Sequence, residues 1–360
     1  MIDFLIIGGG IAGLSVGARL AHLGSVTLLE RESALGYHTS GRSAAMFEET
    51  YGAPSVVALN RASKAYLQSE NGGVLSPRGL LLVGSLDKAA AFAKDVIGME
   101  MQDISLPEAF AMVPILNPEL VDRAAFHPGA LDIDTDLLLQ NFARELRGHG
   151  GQIILNAEVT AIRRTDTGWT VTTKETTCTA RHIVNAAGSW ADIIATMAGV
   201  QPIGLTPLRR SMARIPAPGG HDVTHWPMIF GPGEDWYAKP DAGALIVSPA
   251  EEDPSHPHDA YADDMVLAEG LARYEAHVTV PVTRMLANWA GLRTFAPDRQ
   301  LVLGPAPVDP TFIWCAGQGG YGFQTSPAAS RLVADLVAGT PPQVDAATVA
   351  ATDPARFRRV

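Results

Sequence analysis

IDFLIIGGGIAG, at residues 2–13, is the most informative segment of this chain of 360 residues. Its first six residues are mostly apolar, which is typical of a parallel strand buried on both faces. Three glycines follow at G-x-G-x-x-G spacing (Gly8, Gly10 and Gly13), and residues 14–23 predict an Ala- and Leu-rich helix. Residues 26–29 predict a second strand, so the first 30 residues predict one βαβ unit.

This context turns a weak pattern into a specific one. The glycines lie directly between a strand and a helix, where the backbone N–H groups of the first helical turn can hold a pyrophosphate. Gly8 allows the tight turn, Gly10 lets a phosphate approach the backbone, and Gly13 lets helix and strand pack closely. Glu30 lies 22 residues after Gly8, at the predicted strand end, where a carboxylate can bind the hydroxyls of an adenosine ribose. The segment therefore predicts a dinucleotide site.

A second literal copy of the pattern occurs at Gly317, Gly319 and Gly322. Only 38 residues remain after it and no acid-ended strand follows, so a second Rossmann unit is not expected there. One dinucleotide site remains. If it held NAD, the chain would need a separate pocket for a group to reduce, whereas FAD would bring the redox centre with it.

Composition excludes several classes of function. The chain has 27 basic and 38 acidic residues, and a net charge of −11 disfavours a sequence-independent nucleic-acid binder or a protein that adheres to anionic lipid. Two cysteines, Cys178 and Cys315, cannot build a disulfide framework, and with no membrane-spanning segment in the sequence they favour a reducing, cytoplasmic location. His221, His225, His256 and His258 lie in a loop-rich region, where solvated histidines are expected rather than a metal site.

Four ordered motifs carry a resemblance to a known family. The segments ERE (residues 30–32) and GYHTSGRSAA (36–45) resemble the flavin-binding stretch of the D-amino-acid oxidase superfamily of FAD-dependent amine oxidoreductases. VNAAGSW (184–190), WAGLR (289–293) and QGGYG (318–322) agree with it. The match runs nearly end to end and is closest to bacterial D-arginine and D-amino-acid dehydrogenases, with glycine and sarcosine oxidases more distant.

The resemblance implies non-covalent FAD and a set of contacts to it. The expected cofactor-binding residues, including the glycines of the first turn, are Gly8, Gly10, Ala12, Gly13, Glu30, Arg31, Thr39, Ser40, Gly41, Arg42, Ser43, Ala44, Ala45, Met46, Val159, Ala187, Gly188, Trp190, Gly319, Gly320, Tyr321, Gly322, Phe323 and Gln324. The helix predicted over residues 326–337 would place a positive dipole end beside the flavin, where it would stabilise the anionic reduced form.

The resemblance also implies a substrate site for an amino acid. Arg293 is expected to bind the carboxylate as a bidentate fork, with Arg210 as a second cation or, alternatively, a surface ion-pair partner. The implied catalytic residues are Tyr51, Tyr237 and Arg293, and the implied substrate-binding residues are Tyr51, Leu80, Arg210, Tyr237, Arg293, Gly320 and Tyr321. The implied reaction is hydride transfer from Cα to flavin N5, followed by hydrolysis of the imine to a 2-oxo acid and ammonia.

Two departures from the family pattern affect the expected substrate. Relatives selective for D-arginine carry an acid in the strand after Ser76-Pro77-Arg78, where this chain has Leu80 and two further leucines. Burying an unpaired guanidinium is costly, so an apolar or small side chain is expected instead. Relatives also place a histidine near the flavin where this chain has Met46, so that its role is vacant or has moved to Glu48 or Tyr51.

These observations predict an α/β (α+β) protein with a Rossmann-type FAD-binding domain and a second, mixed or antiparallel-sheet substrate domain. The FAD-binding domain is expected at residues 1–50, 130–205 and 296–360, and the substrate domain at 51–129 and 206–295. A quinone or O₂ would reoxidise the flavin. The alternatives are a glycine- or sarcosine-type oxidase, a 2-hydroxy-acid oxidase on the same scaffold, or a nucleotide-binding protein without a redox step.

Overall fold

The chain alternates between two large sheets. The computed structural model describes residues 1–357, so the last three residues of the predicted FAD-binding domain, 358–360, lie outside the described residues. The strands are β1 (Ile2–Ile7), β2 (Val26–Leu29), β3 (Met46–Phe47), β4 (Leu75–Pro77), β5 (Leu80–Gly84), β6 (Gln102–Ile104), β7 (Arg123–His127), β8 (Leu131–Ile133), β9 (Gln152–Ile154), β10 (Val159–Thr165), β11 (Gly168–Thr173), β12 (Thr177–Asn185), β13 (Thr206–Pro216), β14 (Met228–Phe230), β15 (Tyr237–Asp241), β16 (Ala244–Ser248), β17 (Asp253–Pro254), β18 (Ala287–Phe295), β19 (Val302–Pro305) and β20 (Phe312–Ala316). The α-helices are α1 (Ile11–Leu20), α2 (Pro54–Ser69), α3 (Ala89–Gly98), α4 (Leu106–Met112), α5 (Thr135–Gly148), α6 (Ala191–Met197), α7 (Asp264–Ala276), α8 (Gly322–Ala338) and α9 (Ala346–Thr352).

The first sheet is built around the predicted βαβ unit. Strands β12, β1, β2 and β9 are parallel neighbours in that order, and α1 connects β1 to β2. Strand β12 is long enough to pair twice on its other edge: its first half pairs with β11 and its second half with β20. The central strands are buried on both faces, as their continuous apolar sequences predict.

Helices α1, α5 and α8 cover one face of this sheet. Leu14, Phe142 and Leu332, one from each helix, are at most 2% exposed and belong to the same apolar cluster. Helix α2 also packs against α8 and buries Val56 and Leu59 in that cluster. At about 25 cal/mol per Å² of buried apolar surface, such a layer is the main source of stability for the βαβ unit.

The second sheet is mixed and contains the long pair of strands that carries the expected substrate residues. Its order is β17-β13-β16-β15-β14-β5-β7-β6, and β18 pairs with β13 in antiparallel register. Only β14 and β5 pair in parallel within it. Strands β3, β8 and β4 form a small third sheet in that order. The predicted fold class is confirmed.

Both predicted helices begin earlier in the structure, and the second difference affects the site. Helix α1 spans Ile11–Leu20 where a helix was predicted over residues 14–23. Helix α8 begins at Gly322, four residues before its predicted start at Ser326. Pro327 lies inside the helix and has no N–H to donate to the carbonyl oxygen of Phe323. The side-chain hydroxyl of Ser326 donates to that oxygen instead. The early start places Phe323 and Gln324 on the first helical turn.

Within residues 1–357, no helix is both long and apolar enough to cross a membrane. The division into two domains remains a prediction. Helix α2 belongs by sequence to the predicted substrate domain, but its buried face contacts α8 of the predicted FAD-binding domain.

Candidate active site

One continuous cleft joins the dinucleotide motif to the expected substrate residues. It is lined by residues that follow β1, β2 and β12 and by side chains of β13 and β18. The predicted residues that line it are Gly8, Gly10, Ala12, Glu30, Arg31, Thr39, Ser40, Arg42, Ser43, Ala45, Met46, Val159, Ala187, Gly188, Trp190, Arg210, Arg293, Gly319, Gly320, Gly322, Phe323 and Gln324. A single elongated ligand could therefore contact both the glycine turn and the arginines.

Glu30 is fixed at the end of β2 by two backbone groups. Its Oε2 accepts a hydrogen bond from the Gly9 N–H at 2.6 Å, and its Oε1 accepts one from the Glu32 N–H at 2.8 Å. The side chain is buried, so its orientation is set before any ligand binds. Each carboxylate oxygen keeps a second lone pair, which is what binding to a ribose hydroxyl requires.

The glycine turn is shaped by close backbone contacts. A Cβ atom on Gly13 would lie 1.9 Å from the carbonyl oxygen of Gly8, so α1 can approach β1 only because Gly13 has no side chain. The Ser40 hydroxyl accepts a hydrogen bond from the Ile11 N–H at 3.0 Å and joins the turn to the segment Thr39–Met46. The predicted contact residues Gly13, Gly41 and Ala44 do not line the cleft themselves; they support its wall.

The segment Thr39–Met46 is held by hydrogen bonds to two strands of the second sheet. The Thr39 hydroxyl donates to the Leu292 carbonyl oxygen at 2.8 Å, and Arg42 donates to the Ala290 carbonyl oxygen at 3.0 Å. On the other side, the Lys239 ammonium donates to the carbonyl oxygens of Ala44 and Ala45 at 3.0 and 3.3 Å. Because two strands of the second sheet, β18 and β15, contribute donors or acceptors, the segment has a fixed path along the cleft.

Two arginines lie on one face of the β13–β18 pair. Arg210 is opposite Gly291 and Arg293 is opposite Leu208, so the two side chains are diagonal neighbours on the same face. Arg209 points to the other face, where it pairs with Asp253 at 3.0 Å. The face toward the cleft therefore carries two adjacent positive charges.

Neither guanidinium is satisfied by the protein alone. In the described part of the chain, Arg293 has no hydrogen-bond or ion-pair partner, although its guanidinium lies against Gly320, where a Cβ atom would come within 3.2 Å of Nη1. The Nε of Arg210 is buried without a partner, and its nearest carboxylate, that of Glu252, is 3.6 Å away. Burial and the neighbouring Arg293 lower the pKa of Arg210. Such a pair is suited to bind an anion.

The three predicted tyrosines interact electrostatically with these arginines, but their closest polar contacts are with other residues. The Tyr51 hydroxyl donates to Glu234 Oε2 at 2.8 Å, and the Tyr237 hydroxyl contacts the sulfur of Met212 at 3.3 Å. Tyr321 packs edge-on against Tyr51, with ring centroids 5.5 Å apart. Burial strongly raises the pKa of Tyr51, and the charge of Glu234 raises it further, so the hydroxyl stays protonated.

An apolar cluster lies at this end of the cleft, and its members Met46 and Met212 form an apolar wall of the cleft. Leu80 is buried in a cluster that includes Met212, Phe230 and Tyr237, and Met46 packs against it. Leu80, Tyr51, Tyr237 and Tyr321 do not themselves line the cleft, so their predicted contacts with a substrate remain predictions.

Comparison with known protein families shows to which family the chain belongs. A family model described as FAD dependent oxidoreductase matches residues 3–336. The chain belongs to this family. FAD is accordingly its cofactor, as the glycine turn and Glu30 predict.

Individual relatives agree over nearly the full length. The FAD-dependent oxidoreductase domain-containing protein 1 of Bos taurus is 26% identical, over 93% of this chain and 81% of the relative. The glycine oxidase of Geobacillus kaustophilus is 25% identical, over 93% and 92%. The crystal structure of L-proline dehydrogenase from P. horikoshii superposes with a TM-score of 0.83 at 22% identity, over 99% and 97%, and shows the same fold.

The residues of the cleft fit FAD. Gln324 provides a specific test, because its Oε1 accepts a hydrogen bond from the Glu48 N–H at 3.1 Å while its buried Nε2 has no partner. An unpaired buried donor that lines a cofactor cleft is explained if the cofactor supplies the acceptor. Neither cysteine lines the cleft, and burial raises the pKa of the Cys315 thiol to about 12, which fits non-covalent binding.

The two proposed substitutes for the family histidine differ in position. Glu48 is buried 3.3 Å from His127 and also accepts from the Thr50 hydroxyl at 2.9 Å, so its contacts are structural. Tyr51 interacts electrostatically with Arg293 and is therefore the better placed of the two. Among residues 1–357, no group of three or more His, Cys, Asp or Glu side chains is arranged to hold a metal ion.

Sequence reasoning missed several charged residues around the substrate end. Glu234, Glu252 and Arg299 interact electrostatically with Arg293, Arg210 or the tyrosines. The acidic run Glu251-Glu252-Asp253 was a usable signal, since it pairs across the sheet with Arg209-Arg210. Glu234 lies in a loop and no local pattern marks it.

Proposed function

We propose that this protein catalyses the FAD-dependent oxidative deamination of a D-amino acid with an apolar or small side chain, giving the 2-oxo acid and ammonia. The observation that carries the proposal is the half-buried guanidinium of Arg293, which lines the cleft without a partner among the described residues, beside the buried Arg210. Two such groups in a flavin cleft are suited to bind one carboxylate through several charge-assisted hydrogen bonds.

Bound FAD supplies the acceptor for a hydride from the substrate Cα, and the protein supplies position and charge. Arg293 and Arg210 hold the carboxylate, which fixes the Cα relative to the cleft wall. Their positive potential also favours loss of a proton from the substrate ammonium group, because a neutral amine avoids repulsion by the guanidinium groups. The neutral amine is the form whose lone pair can drive hydride departure.

In the proposed arrangement, Tyr51 acts as a hydrogen-bond acceptor for the substrate amine. Its single hydroxyl proton is donated to Glu234, so toward the cleft it can only accept a hydrogen bond. An N–H of the substrate amine is a suitable donor. The product imine is hydrolysed by water, and a quinone or O₂ takes the two electrons in the second half of the cycle.

The apolar wall supports the proposed side-chain preference. Leu80, Met46 and Met212 provide no charge for a basic side chain. The carboxylates found nearby, Glu234 and Glu252, are engaged with Tyr51 and with Arg299. A substrate guanidinium would have to compete for them.

A second candidate is the oxidation of glycine or an N-methylated glycine. It is favoured by the relative named glycine oxidase, which matches over 92% of its own length. The same arginines would bind the carboxylate, and a small substrate would leave the apolar wall without a contact.

The free cysteines Cys178 and Cys315 are compatible with the reducing, cytoplasmic location that we propose.

Anaerobic flavin reduction distinguishes these possibilities. The holoenzyme is mixed with each enantiomer of alanine, leucine, phenylalanine and arginine, with glycine and sarcosine, and with L-2-hydroxyglutarate. We expect bleaching of the flavin band by D-alanine, D-leucine or D-phenylalanine, with D-arginine slower. Reduction by the L-enantiomers, glycine or a hydroxy acid alone would refute the proposal, and reoxidation by air or a quinone identifies the acceptor.

A further inference from the structure

The acidic run Glu251-Glu252-Asp253 divides between the two faces of β13. Asp253 pairs with Arg209 at 3.0 Å, and Glu251 lies 4.0 Å from the same guanidinium. Glu252 is the member of the run that contacts Arg210, on the face toward the cleft, at 3.6 Å. The same Glu252 oxygen accepts a hydrogen bond from Arg299 at 2.8 Å.

The exposed fractions of the three side chains show that Glu252 lies between the interior and the surface. The side chain of Arg210 is 6% exposed, that of Glu252 is 37% exposed and that of Arg299 is 47% exposed. Arg299 is held over the ring of Phe295, with its guanidinium carbon 3.9 Å from the ring centroid. Glu252 therefore connects a buried cation of the substrate end to a cation at the protein surface.

At the substrate end, the positive charges exceed the negative charges by one, so one more anion would balance them. Arg210, Arg293 and Arg299 are opposed by two carboxylates, Glu234 and Glu252. One guanidinium charge, that of Arg293, has no partner among the described residues. A single substrate carboxylate balances it, whereas a second one would have to approach Arg210 or Arg299 against the charge of Glu252.

We propose that Glu252, paired with Arg299 and in contact with only one Nη of Arg210, is a specificity-determining counterion whose charge excludes substrates with a second carboxylate. This inference rests on the proposed function, because it requires that Arg293 and Arg210 bind a carboxylate. It predicts that amino acids with acidic side chains are poor substrates although the site is rich in arginine. Removal of the Glu252 charge should admit them.

Binding of simple carboxylates to the oxidised holoenzyme tests the proposal. Propionate and succinate differ by one carboxylate, and their dissociation constants follow from perturbation of the flavin absorption band. We expect Glu252→Gln to lower the dissociation constant of succinate about tenfold and that of propionate only two- to threefold. The matched control Asp253→Asn removes the same charge one residue away, on the Arg209 face, and should change neither constant.

Wild-type protein alone provides a second measurement, which does not depend on the stability of a variant. Succinamate has the shape of succinate but carries an amide in place of the second carboxylate. It should bind about tenfold more tightly than succinate if Glu252 repels that charge. Equal binding of the two, or an unchanged succinate-to-propionate ratio in Glu252→Gln, would overturn the inference. Failure of the wild type to bind propionate at all would instead overturn the proposed function.

Discussion

The two ends of the cleft are built in different ways. At the dinucleotide end, Gly8, Gly13 and Glu30 come from one βαβ unit, and the local sequence fixes their positions. At the substrate end, Arg210 and Arg293 come from strands that are 83 positions apart in the chain and meet through antiparallel pairing. The first end is closed by backbone contacts, whereas the second keeps unpaired guanidinium groups.

This difference separates stability from specificity. Backbone groups and glycines give a binding surface that few substitutions can alter without disturbing the fold. Side chains on a paired sheet can be exchanged while the strands stay in place. We therefore expect substitutions at the dinucleotide end to cost folded holoenzyme, and substitutions at the substrate end to cost activity in a protein that still binds FAD.

The largest effect is expected for Gly13→Ala. The new Cβ atom would lie 1.9 Å from the Gly8 carbonyl oxygen, and this atom is backbone that cannot move without displacing α1 from β1. We expect FAD content of the purified protein to fall to about a tenth or less, together with a lower midpoint of thermal unfolding. The absorbance ratio at 450 and 280 nm measures the first quantity.

Gly98→Ala is the control for this substitution. Gly98 also lies in a helix, but no atom is within 4 Å of its would-be Cβ, so the same change should leave flavin content intact. If Gly13→Ala retained full FAD content, the distinction between the two ends would be lost.

Arg293→Met should give the opposite pattern. The substitution removes the unpartnered guanidinium but keeps a side chain of similar length on β18. We expect kcat/KM for the best D-amino acid to fall about 10³-fold, as for loss of a buried charge-assisted contact of about 4 kcal/mol. FAD content and unfolding temperature should stay near wild type, and Arg209→Met on the opposite face of β13 should leave kcat/KM nearly unchanged. A large loss of FAD in Arg293→Met would contradict this division.

The same difference explains what the sequence could predict. Strands β1 and β2 and the turn at Gly8–Gly13 follow from local apolar runs and glycine spacing, and these elements are confirmed. Arg293 and Arg210 were found through family resemblance, and no local rule would have paired them. Their adjacency depends on the register of β13 with β18, which is set by contacts along the whole strand pair.

Two features of the site were beyond local reasoning for physical reasons. The start of α8 at Gly322 was missed because Pro327 and the glycines before it resemble a loop. Tertiary contacts support the helix, such as the hydrogen bond that the Ala328 N–H donates to the Ser63 hydroxyl oxygen. Glu234 was missed because its role depends on the Tyr51 hydroxyl, 183 positions away. Long-range polar contacts of this kind leave no periodic pattern in a sequence.

The smallest expected effect is on the pH dependence of stability at the substrate end. His277 is buried beside Trp236 on the substrate-end side of the molecule, and its Nδ1–H donates to the Arg273 carbonyl oxygen at 2.7 Å. Burial lowers the pKa of His277, a shift that Asp235 only partly opposes. Because the unfolded chain then binds the proton more readily than the folded one, stability is lost as pH falls below the ordinary histidine pKa.

His277→Asn tests this linkage, since asparagine keeps a donor near the Arg273 carbonyl oxygen but does not titrate. Between pH 7.5 and 5.5 we expect the unfolding midpoint of the wild type to fall about 2 °C further than that of the variant, as for a linkage of about 1 kcal/mol. His225→Asn, at an exposed histidine, should retain the wild-type dependence. Parallel curves for wild type and His277→Asn would show that the buried imidazole does not carry the effect, and that the acid sensitivity of this end comes from its carboxylates instead.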